Sequence, residues 1–169
     1  MLVKKEGTVQ RTHWHQDQPY NNTEEKHNIS FWIPFEPVPL KWILELVAGS
    51  HKGPWYMPRN FLENQAKWFP EGSLSEIPDI DSNPEKYPVL KWVLEPGDAV
   101  AFHMLTLHCG NRVGSLRRVF SIRMLGDNII HAPRSWETSP DFSGLSDQLP
   151  AGKPMEHELF PLAWPVSHA

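Results

Sequence analysis

The sequence predicts an all-β fold, and three observations lead to that prediction. The 169 residues include 17 prolines, which interrupt helices and favour turns. The apolar runs are short and rich in aromatic and β-branched residues, a composition typical of strands. Turn signals such as Glu95–Asp98 separate these runs. Short antiparallel strands of this kind are typical of a sandwich or barrel, and we expect a double-sheet jelly roll with few short helices.

Six segments carry the strand pattern and give the predicted order of the fold. The predicted strands are Thr8–Gln18, Asn28–Phe35, Lys41–Val47, Val89–Leu94, Ala99–Met104 and Arg117–Leu125. Between the third and fourth strands, the proline-rich stretch Gly53–Pro88 predicts a long loop insertion, with one short helix near Arg59–Trp68. We expect a single domain over residues 1–169, with a core at about 8–127 and a C-terminal tail at 128–169 that wraps the surface.

Composition and charge exclude several classes of protein. The apolar fraction of 40% and the charged fraction of 21% are those of a globular chain. A net charge of −4 argues against nucleic acid as a partner, because phosphate binding needs a concentrated basic surface. No apolar run reaches the roughly 18 residues of a membrane span, and no signal peptide is recognisable. The single cysteine, Cys109, excludes an internal disulfide and fits a reducing compartment, so we expect a cytoplasmic protein. The sequence does not indicate an oligomeric state.

A candidate metal site begins in the first predicted strand. His15 and Asp17 stand two residues apart, so in a strand both side chains project from the same face, which His13 shares. His108 lies at the end of a later predicted strand. Two histidines and one carboxylate leave open positions on iron for a bidentate co-substrate and dioxygen. The His-x-Asp spacing by itself fits a surface turn equally well.

The segment after His108 adds a second chemical feature. Arg117 and Arg118 stand at the start of the next predicted strand. A guanidinium group is a planar fork that pairs with a carboxylate through two hydrogen bonds, as the far carboxylate of 2-oxoglutarate would require. Neighbouring residues of a strand face opposite ways, so only one of the two arginines can point inward.

Four segments together resemble the phytanoyl-CoA dioxygenase family. Each segment is a weak signal alone, but jointly they are specific and extend over about Thr8–Asp127. The segments are Thr12–Tyr20 with the His-x-Asp pair, Trp32 with the turn Gly49–His51, the strand Glu95–His103, and His108–Asn111 with Arg117–Ser121.

The resemblance implies a fold, a metal and a reaction. It implies a double-stranded β-helix, with iron(II) held by His15, Asp17 and His108 and with 2-oxoglutarate and dioxygen as co-substrates. It implies hydroxylation of a small organic substrate with release of succinate and carbon dioxide. Related halogenating enzymes replace the carboxylate ligand with a small residue, so Asp17 indicates a hydroxylase.

The resemblance also implies a pocket for 2-oxoglutarate. Arg117 is the expected anchor of the co-substrate carboxylate, Arg118 is the second choice, Ser121 is a possible helper and Trp32 lines the pocket. Family members usually carry a long, partly helical region before the His-x-Asp strand. That strand begins close to residue 1 here, so we expect a chain that lacks this region.

Two other functions are compatible with the same residues. A cupin-like module could bind a metal or small ligand without turnover, or the chain could be a truncated inactive relative. A metal-dependent isomerase or hydrolase on the same barrel would keep the three ligands but would have no use for Arg117. Succinate formation that depends on 2-oxoglutarate separates these functions from an oxygenase.

Overall fold

A computed structural model describes residues 1–7, 11–57, 74–136, 138–140 and 142–164. The helix predicted near Arg59–Trp68 lies outside these residues. Within them, the strands are β1 (Leu2–Lys4), β2 (Thr12–His15), β3 (Thr23–Glu24), β4 (Asn28–Pro34), β5 (Leu44–Val47), β6 (Val89–Leu90), β7 (Val100–Phe102), β8 (His108–Gly110), β9 (Arg117–Leu125) and β10 (Ile130–His131). Short 3₁₀ turns occupy Gln18–Tyr20, Leu40–Trp42 and Ser50–Lys52, and one short helix, α1, occupies Leu145–Gln148.

Most of the strands form two four-stranded sheets. The first sheet has the order β1-β9-β4-β7 and the second has the order β2-β8-β5-β6. All of their strand pairs are antiparallel. Side chains of both sheets meet in one buried cluster, in which Trp32, Phe102 and Val119 of the first sheet pack with Leu44 and Leu46 of the second. Two packed antiparallel sheets confirm the predicted all-β jelly roll.

The long strands match the sequence prediction better than the short ones do. β4 and β9 lie where the pattern predicts them, whereas the other predicted strands are shorter in the structure. β8 is a separate strand between β2 and β5, so His108 begins a strand of its own and does not end the preceding one. β1 was not predicted at all, because its three residues are largely exposed and carry no alternating pattern.

The two segments outside the sheets form smaller packed units. In the described part of the Gly53–Pro88 insertion, Ile80 is buried in a cluster with residues of the second sheet, including Trp14 and Cys109. After residue 127, β10 pairs with β3, and Ile129 and Leu145 belong to a third buried cluster. The domain boundary at 127 stays a prediction. None of the described helices has the length and apolar character needed to cross a membrane.

Candidate metal centre

Three candidate metal donors lie close together where β2 pairs with β8 in the second sheet. His15 ends β2 and lies directly opposite His108, the first residue of β8. Their ring centroids are 4.1 Å apart. Asp17 follows two residues after His15, and the potential ligand atoms of the three residues all lie within 4.8 Å of one another. Because these atoms lie so close together, the three side chains, all of them buried, could hold a single ion.

The route by which Asp17 reaches the site differs from the sequence prediction. β2 ends at His15, and Asp17 has helical backbone angles (φ −76°, ψ −40°) before the 3₁₀ turn Gln18–Tyr20. The strand rule for residues two apart therefore does not apply to this pair. The sequence also placed His13 on the same face as His15, but the pairing register shifts between Thr12 and His15, and His13 does not line the cavity. Thr12 lines the cavity at this point instead of His13.

Backbone carbonyls orient both imidazole rings. Nδ1 of His15 lies 2.8 Å from the carbonyl oxygen of His13, and Nδ1 of His108 lies 2.8 Å from that of Thr106. This bonding assigns the proton to Nδ1 and leaves the lone pair on Nε2. Burial lowers the pKa of both histidines, that of His15 to about 3. Both rings are therefore neutral at pH 7, the form that binds a metal ion.

Asp17 is held as an ionised carboxylate by two neighbours. Its Oδ2 accepts a hydrogen bond of 2.8 Å from the Ser30 hydroxyl, and its Oδ1 accepts one of 2.8 Å from Nη2 of Arg123. Burial alone would raise the pKa of Asp17, but its electrostatic interactions with His108 and Arg123 and the hydrogen bond from Arg123 outweigh burial and hold that pKa below its usual range. Ser30 and Arg123 face each other across β4 and β9, so one strand pair supplies both contacts.

The turn Gly49–His51 fixes the approach to His108. Gly49 has a φ of 72°, a left-handed conformation that glycine adopts without steric cost. The turn places the Ser50 hydroxyl so that it donates to the carbonyl of Val47 and accepts from the backbone N–H of Leu107, each at 2.8 Å. The end of β5 is thereby fastened to the residue that precedes His108.

Gln16, which lies between His15 and Asp17, joins this part of the chain to two loops. Its amide nitrogen donates to the carbonyl of Leu105 at 2.8 Å, and its amide oxygen accepts from the backbone N–H of Tyr56 at 2.8 Å. The side chain is almost completely buried. These bonds tie the Asp17 segment to the loop before β8 and to the start of the insertion.

The three donors line a cavity of about 400 Å³ between the two sheets. The strand β9 contributes every second residue to its wall, as the pleat of a strand requires. The residues that line the cavity are Leu2, Val3, Lys4, Thr12, His15, Asp17, Tyr20, Asn21, Trp32, Leu44, Phe102, His108, Gly110, Arg117, Val119, Ser121, Arg123 and Ser139.

Arg117 occupies the end of this wall away from Asp17. Its guanidinium carbon lies 5.4 Å from the centre of the Trp32 ring, and its Nη1 donates to the carbonyl oxygen of Trp42. Burial lowers the pKa of Arg117 to about 10. Within the described residues, no carboxylate forms a salt bridge with it. A buried cation without a counter-charge is costly and favours the binding of an anion.

Arg118 faces the opposite way. Its side chain is half exposed, and its Nε lies 2.5 Å from Oε1 of Glu36. The sequence left open which of the two arginines points inward. Arg117 lines the cavity and Arg118 does not, so Arg117 is the inward-facing residue. Ser121 and Trp32 line the same cavity and are paired across β9 and β4.

The loop between β8 and β9 supports the position of Arg117. A Cβ atom at Gly114 would overlap the ring of Trp42, so this glycine allows the loop to pack directly on that ring. The Trp42 carbonyl in turn accepts the hydrogen bond from Arg117. Glycine at position 114 is therefore required for a close approach, not for an unusual backbone angle.

Lys4 is a cavity residue that the sequence did not indicate. β1 pairs with β9 so that Lys4 lies opposite Arg117. Its Nζ donates to the carbonyls of Gly110 and Asn111, each at 3.2 Å. Burial, together with the charge of Arg117, lowers the pKa of Lys4 to about 8. No signal for this role exists in the sequence, because the short exposed strand β1 has no recognisable pattern.

Ser30 and Arg123 were also missed, but a signal for them was present. Trp32 and Ser121 were predicted as pocket residues, and residues two apart in a strand share a face. Stepping by two residues from Trp32 gives Ser30, and from Ser121 gives Arg123. The alternation alone does not predict that Ser30 and Arg123 contact Asp17, because those contacts depend on the packing of the two sheets.

Comparison with known proteins now identifies the family. Residues 1–119 match the family model described as phytanoyl-CoA dioxygenase, so the chain belongs to that family. No curated protein matches the chain significantly in sequence.

Three solved structures, each described as dependent on or complexed with α-ketoglutarate (2-oxoglutarate), are similar to it in fold. The carbocyclase SnoK from nogalamycin biosynthesis, described as α-ketoglutarate dependent, is 22% identical with a TM-score of 0.64. That match covers 94% of this chain and 58% of SnoK. The epimerase SnoN in complex with Fe³⁺, α-ketoglutarate and nogalamycin RO is 20% identical with a TM-score of 0.66, covering 94% of this chain and 60% of SnoN. EvdO2 from Micromonospora carbonacea var. aurantiaca, complexed with 2-oxoglutarate, is 20% identical with a TM-score of 0.53, covering 80% and 54%.

These matches bear on the cofactors. The chain spans about three fifths of the length of SnoK and SnoN. The predicted cofactors, iron and 2-oxoglutarate, agree with the family and with a donor set of two neutral histidines and one carboxylate that could hold a metal ion. The buried cation Arg117 in the same cavity fits a dianionic co-substrate.

Proposed function

We propose that this protein is an iron(II)- and 2-oxoglutarate-dependent dioxygenase that hydroxylates a small organic substrate. In this proposal His15, Asp17 and His108 hold the iron through Nε2, a carboxylate oxygen and Nε2. Arg117 holds the far carboxylate of 2-oxoglutarate, and Trp32 and Ser121 complete the pocket around it.

One observation carries the proposal. The cavity that contains the His-Asp-His set also contains Arg117, a buried cation for which the described residues supply no carboxylate. A simple metal-binding module has no need for such a charge, and neither does a metal-dependent isomerase or hydrolase. A co-substrate with a carboxylate at each end matches both features, since one end can chelate the metal while the other pairs with the guanidinium.

The side chains around the site prepare it for this chemistry. Iron(II) and 2-oxoglutarate, when bound, supply the activation of dioxygen that is coupled to decarboxylation to succinate and carbon dioxide and to oxidation of a substrate C–H bond. Ser30 and Arg123 hold the Asp17 carboxylate in one orientation. Phe102, whose ring centroid lies 4.7 Å from that of His108, adds an apolar wall beside this histidine.

Anaerobic titration of the apoprotein tests the proposal directly. Iron(II) and then 2-oxoglutarate are added while the visible absorbance is recorded. We expect a weak metal-to-ligand charge-transfer band that requires both additions and is lost in the His15→Ala and Arg117→Ala proteins. Arg118→Ala serves as the matched control and should retain the band. No band from a folded, iron-loaded protein would contradict the proposal.

Turnover separates hydroxylation from other outcomes. Since similar folds include a carbocyclase and an epimerase, the fate of the substrate has to be measured together with succinate. We expect succinate and a product heavier by one oxygen atom, detected by mass spectrometry with ¹⁸O₂. Succinate with a product of unchanged mass would support an epimerase, and substrate conversion without 2-oxoglutarate would support an isomerase or hydrolase.

A further inference from the structure

We propose that Arg123 is the recognition site for a carboxylate group on the substrate, so that the enzyme acts on a small organic acid. This inference rests on the proposed function and specifies its substrate class. Arg123 lies on the inward face of β9, and its side chain is 38% exposed, enough to contact a bound molecule. It lies at the Asp17 end of the cavity, away from Arg117.

The hydrogen bonding of Arg123 leaves most of its guanidinium available. Nη2 donates to Oδ1 of Asp17 at 2.8 Å. Neither Nε nor Nη1 forms a hydrogen bond with any residue in the described part of the chain. Since the side chain is 38% exposed, these donors are accessible to a bound molecule. Because Arg123 lines the cavity, its guanidinium group can pair with the planar carboxylate of a molecule bound there.

The charge of the cavity points in the same direction. Its lining in the described ranges contains three cationic side chains, Lys4, Arg117 and Arg123, against one carboxylate, Asp17. A divalent metal ion and the dianion 2-oxoglutarate cancel each other, so binding both leaves the positive excess in place. Although the whole chain has a net charge of −4, the cavity therefore favours a negatively charged substrate.

Metal binding strengthens the effect at Arg123 in particular. Without metal, the charge of Arg123 is balanced by Asp17. A metal ion at the three donors draws on the same carboxylate charge, so Arg123 is then less well compensated. The affinity of Arg123 for a substrate anion should consequently rise when the metal ion is bound.

The size of the cavity limits the substrate. A volume of about 400 Å³ is at the lower end for a ligand pocket, and 2-oxoglutarate has to share it. Tyr20, Asn21 and Ser139 line the wall together with Arg123 and offer polar contacts. A compact acid whose carboxylate binds Arg123 beside the metal fits this space.

Calorimetry with matched pairs of ligands tests this assignment. The protein is saturated with Mn²⁺ and 2-oxoglutarate, which occupies the Arg117 pocket, and is titrated with small aliphatic and cyclic carboxylic acids and with the corresponding amides. We expect at least one acid to bind about tenfold or more tightly than its amide. Arg123→Gln should remove that preference, Arg123→Lys should retain part of it, and Arg118→Gln should leave it unchanged.

The outcomes distinguish this inference from the proposed function. Binding of 2-oxoglutarate is measured first in the same protein, and its failure would count against the oxygenase itself. If no acid in the panel binds more tightly than its amide, or if the preference persists in Arg123→Gln, Arg123 is not the substrate anchor. Circular dichroism and Mn²⁺ affinity of each variant establish that the comparison is made between folded, metal-loaded proteins.

Discussion

Two arginine–carboxylate pairs on the same strand illustrate how burial changes the role of an ion pair. Arg123 pairs with Asp17 on the inward face of β9, where Asp17 is only 5% exposed. Arg118 pairs with Glu36 on the outward face, where the arginine side chain is 50% exposed. The distances are 2.8 and 2.5 Å, so geometry alone does not separate them. An exposed pair contributes little because water screens it, whereas the inward pair fixes a potential metal ligand.

The largest expected effect comes from removing the Asp17 carboxylate. Removal of the Glu36 carboxylate is the matched control. Asp17→Ala deletes one of three donors and should weaken iron(II) or Mn²⁺ binding by about a hundredfold or more. Glu36→Ala should leave metal affinity within about twofold. Calorimetric titration of both proteins checks this. Equal metal affinities would mean that the His-Asp-His set is not the metal site.

The next effect contrasts the neighbouring arginines. Arg117→Gln should weaken 2-oxoglutarate binding to the Mn²⁺-loaded protein by about 10- to 100-fold, since charge-assisted hydrogen bonds to a buried carboxylate are lost. Arg118→Gln should bind the co-substrate as the wild type does. Titration of 2-oxoglutarate into each protein measures the difference, and a larger loss in the Arg118 variant would reverse the assignment of the anchor.

A smaller effect is expected at Ser30. Ser30→Ala removes the hydroxyl that donates to Oδ2 of Asp17 and leaves a buried acceptor without this bond. Loss of a group that orients a ligand typically weakens metal binding by about tenfold. Ser82→Ala, in an exposed part of the insertion, is the control and should have no effect. An unchanged Mn²⁺ affinity in Ser30→Ala would show that Arg123 alone suffices to position Asp17.

The pH dependence of stability gives the mildest test of the buried site. Burial lowers the pKa of His15 from 6.5 to about 3 and also lowers that of His108, so the folded apoprotein keeps both rings neutral where the unfolded chain protonates them. Unfolding therefore takes up protons below about pH 6.5, and the free energy of unfolding falls as the pH falls.

Urea denaturation of the metal-free protein at pH 7.5 and pH 5 measures this dependence. A His15→Gln/His108→Gln double variant should show a weaker decrease over the same interval. If the wild type is equally stable at both values, the two rings are not buried in their neutral form.

Much of the site could be read from local sequence patterns. The strand β9 was predicted with its correct bounds, and its alternation places Arg117 and Ser121 on one face. The candidate metal donors, two histidines and one carboxylate, were also predicted from the residue types in the sequence. Local patterns succeed here because the pleat of a strand fixes a period of two residues independently of the remaining fold.

Short elements were predicted less well. β1 and β8 are three residues each, too short to display a period, and they are defined by hydrogen bonds to strands that are distant in sequence. The positions of Lys4 and His108 therefore depend on pairing that no local pattern records. His13 was misassigned for a related reason, since a shift of pairing register changes the face on which a residue lies.

The sequence by itself determined the all-β class, the chemical nature of the candidate metal donors and the spacing of side chains along the long strands. Only the tertiary structure decided which face of β9 lines the cavity, and hence that Arg117 points inward and Arg118 outward. It also decided that Ser30 and Arg123 converge on Asp17 after the strand carrying His15 has ended. The physical reason is that the backbone of a strand makes its side chains alternate between two faces. Which of the two faces is buried depends on the sheet against which the strand packs.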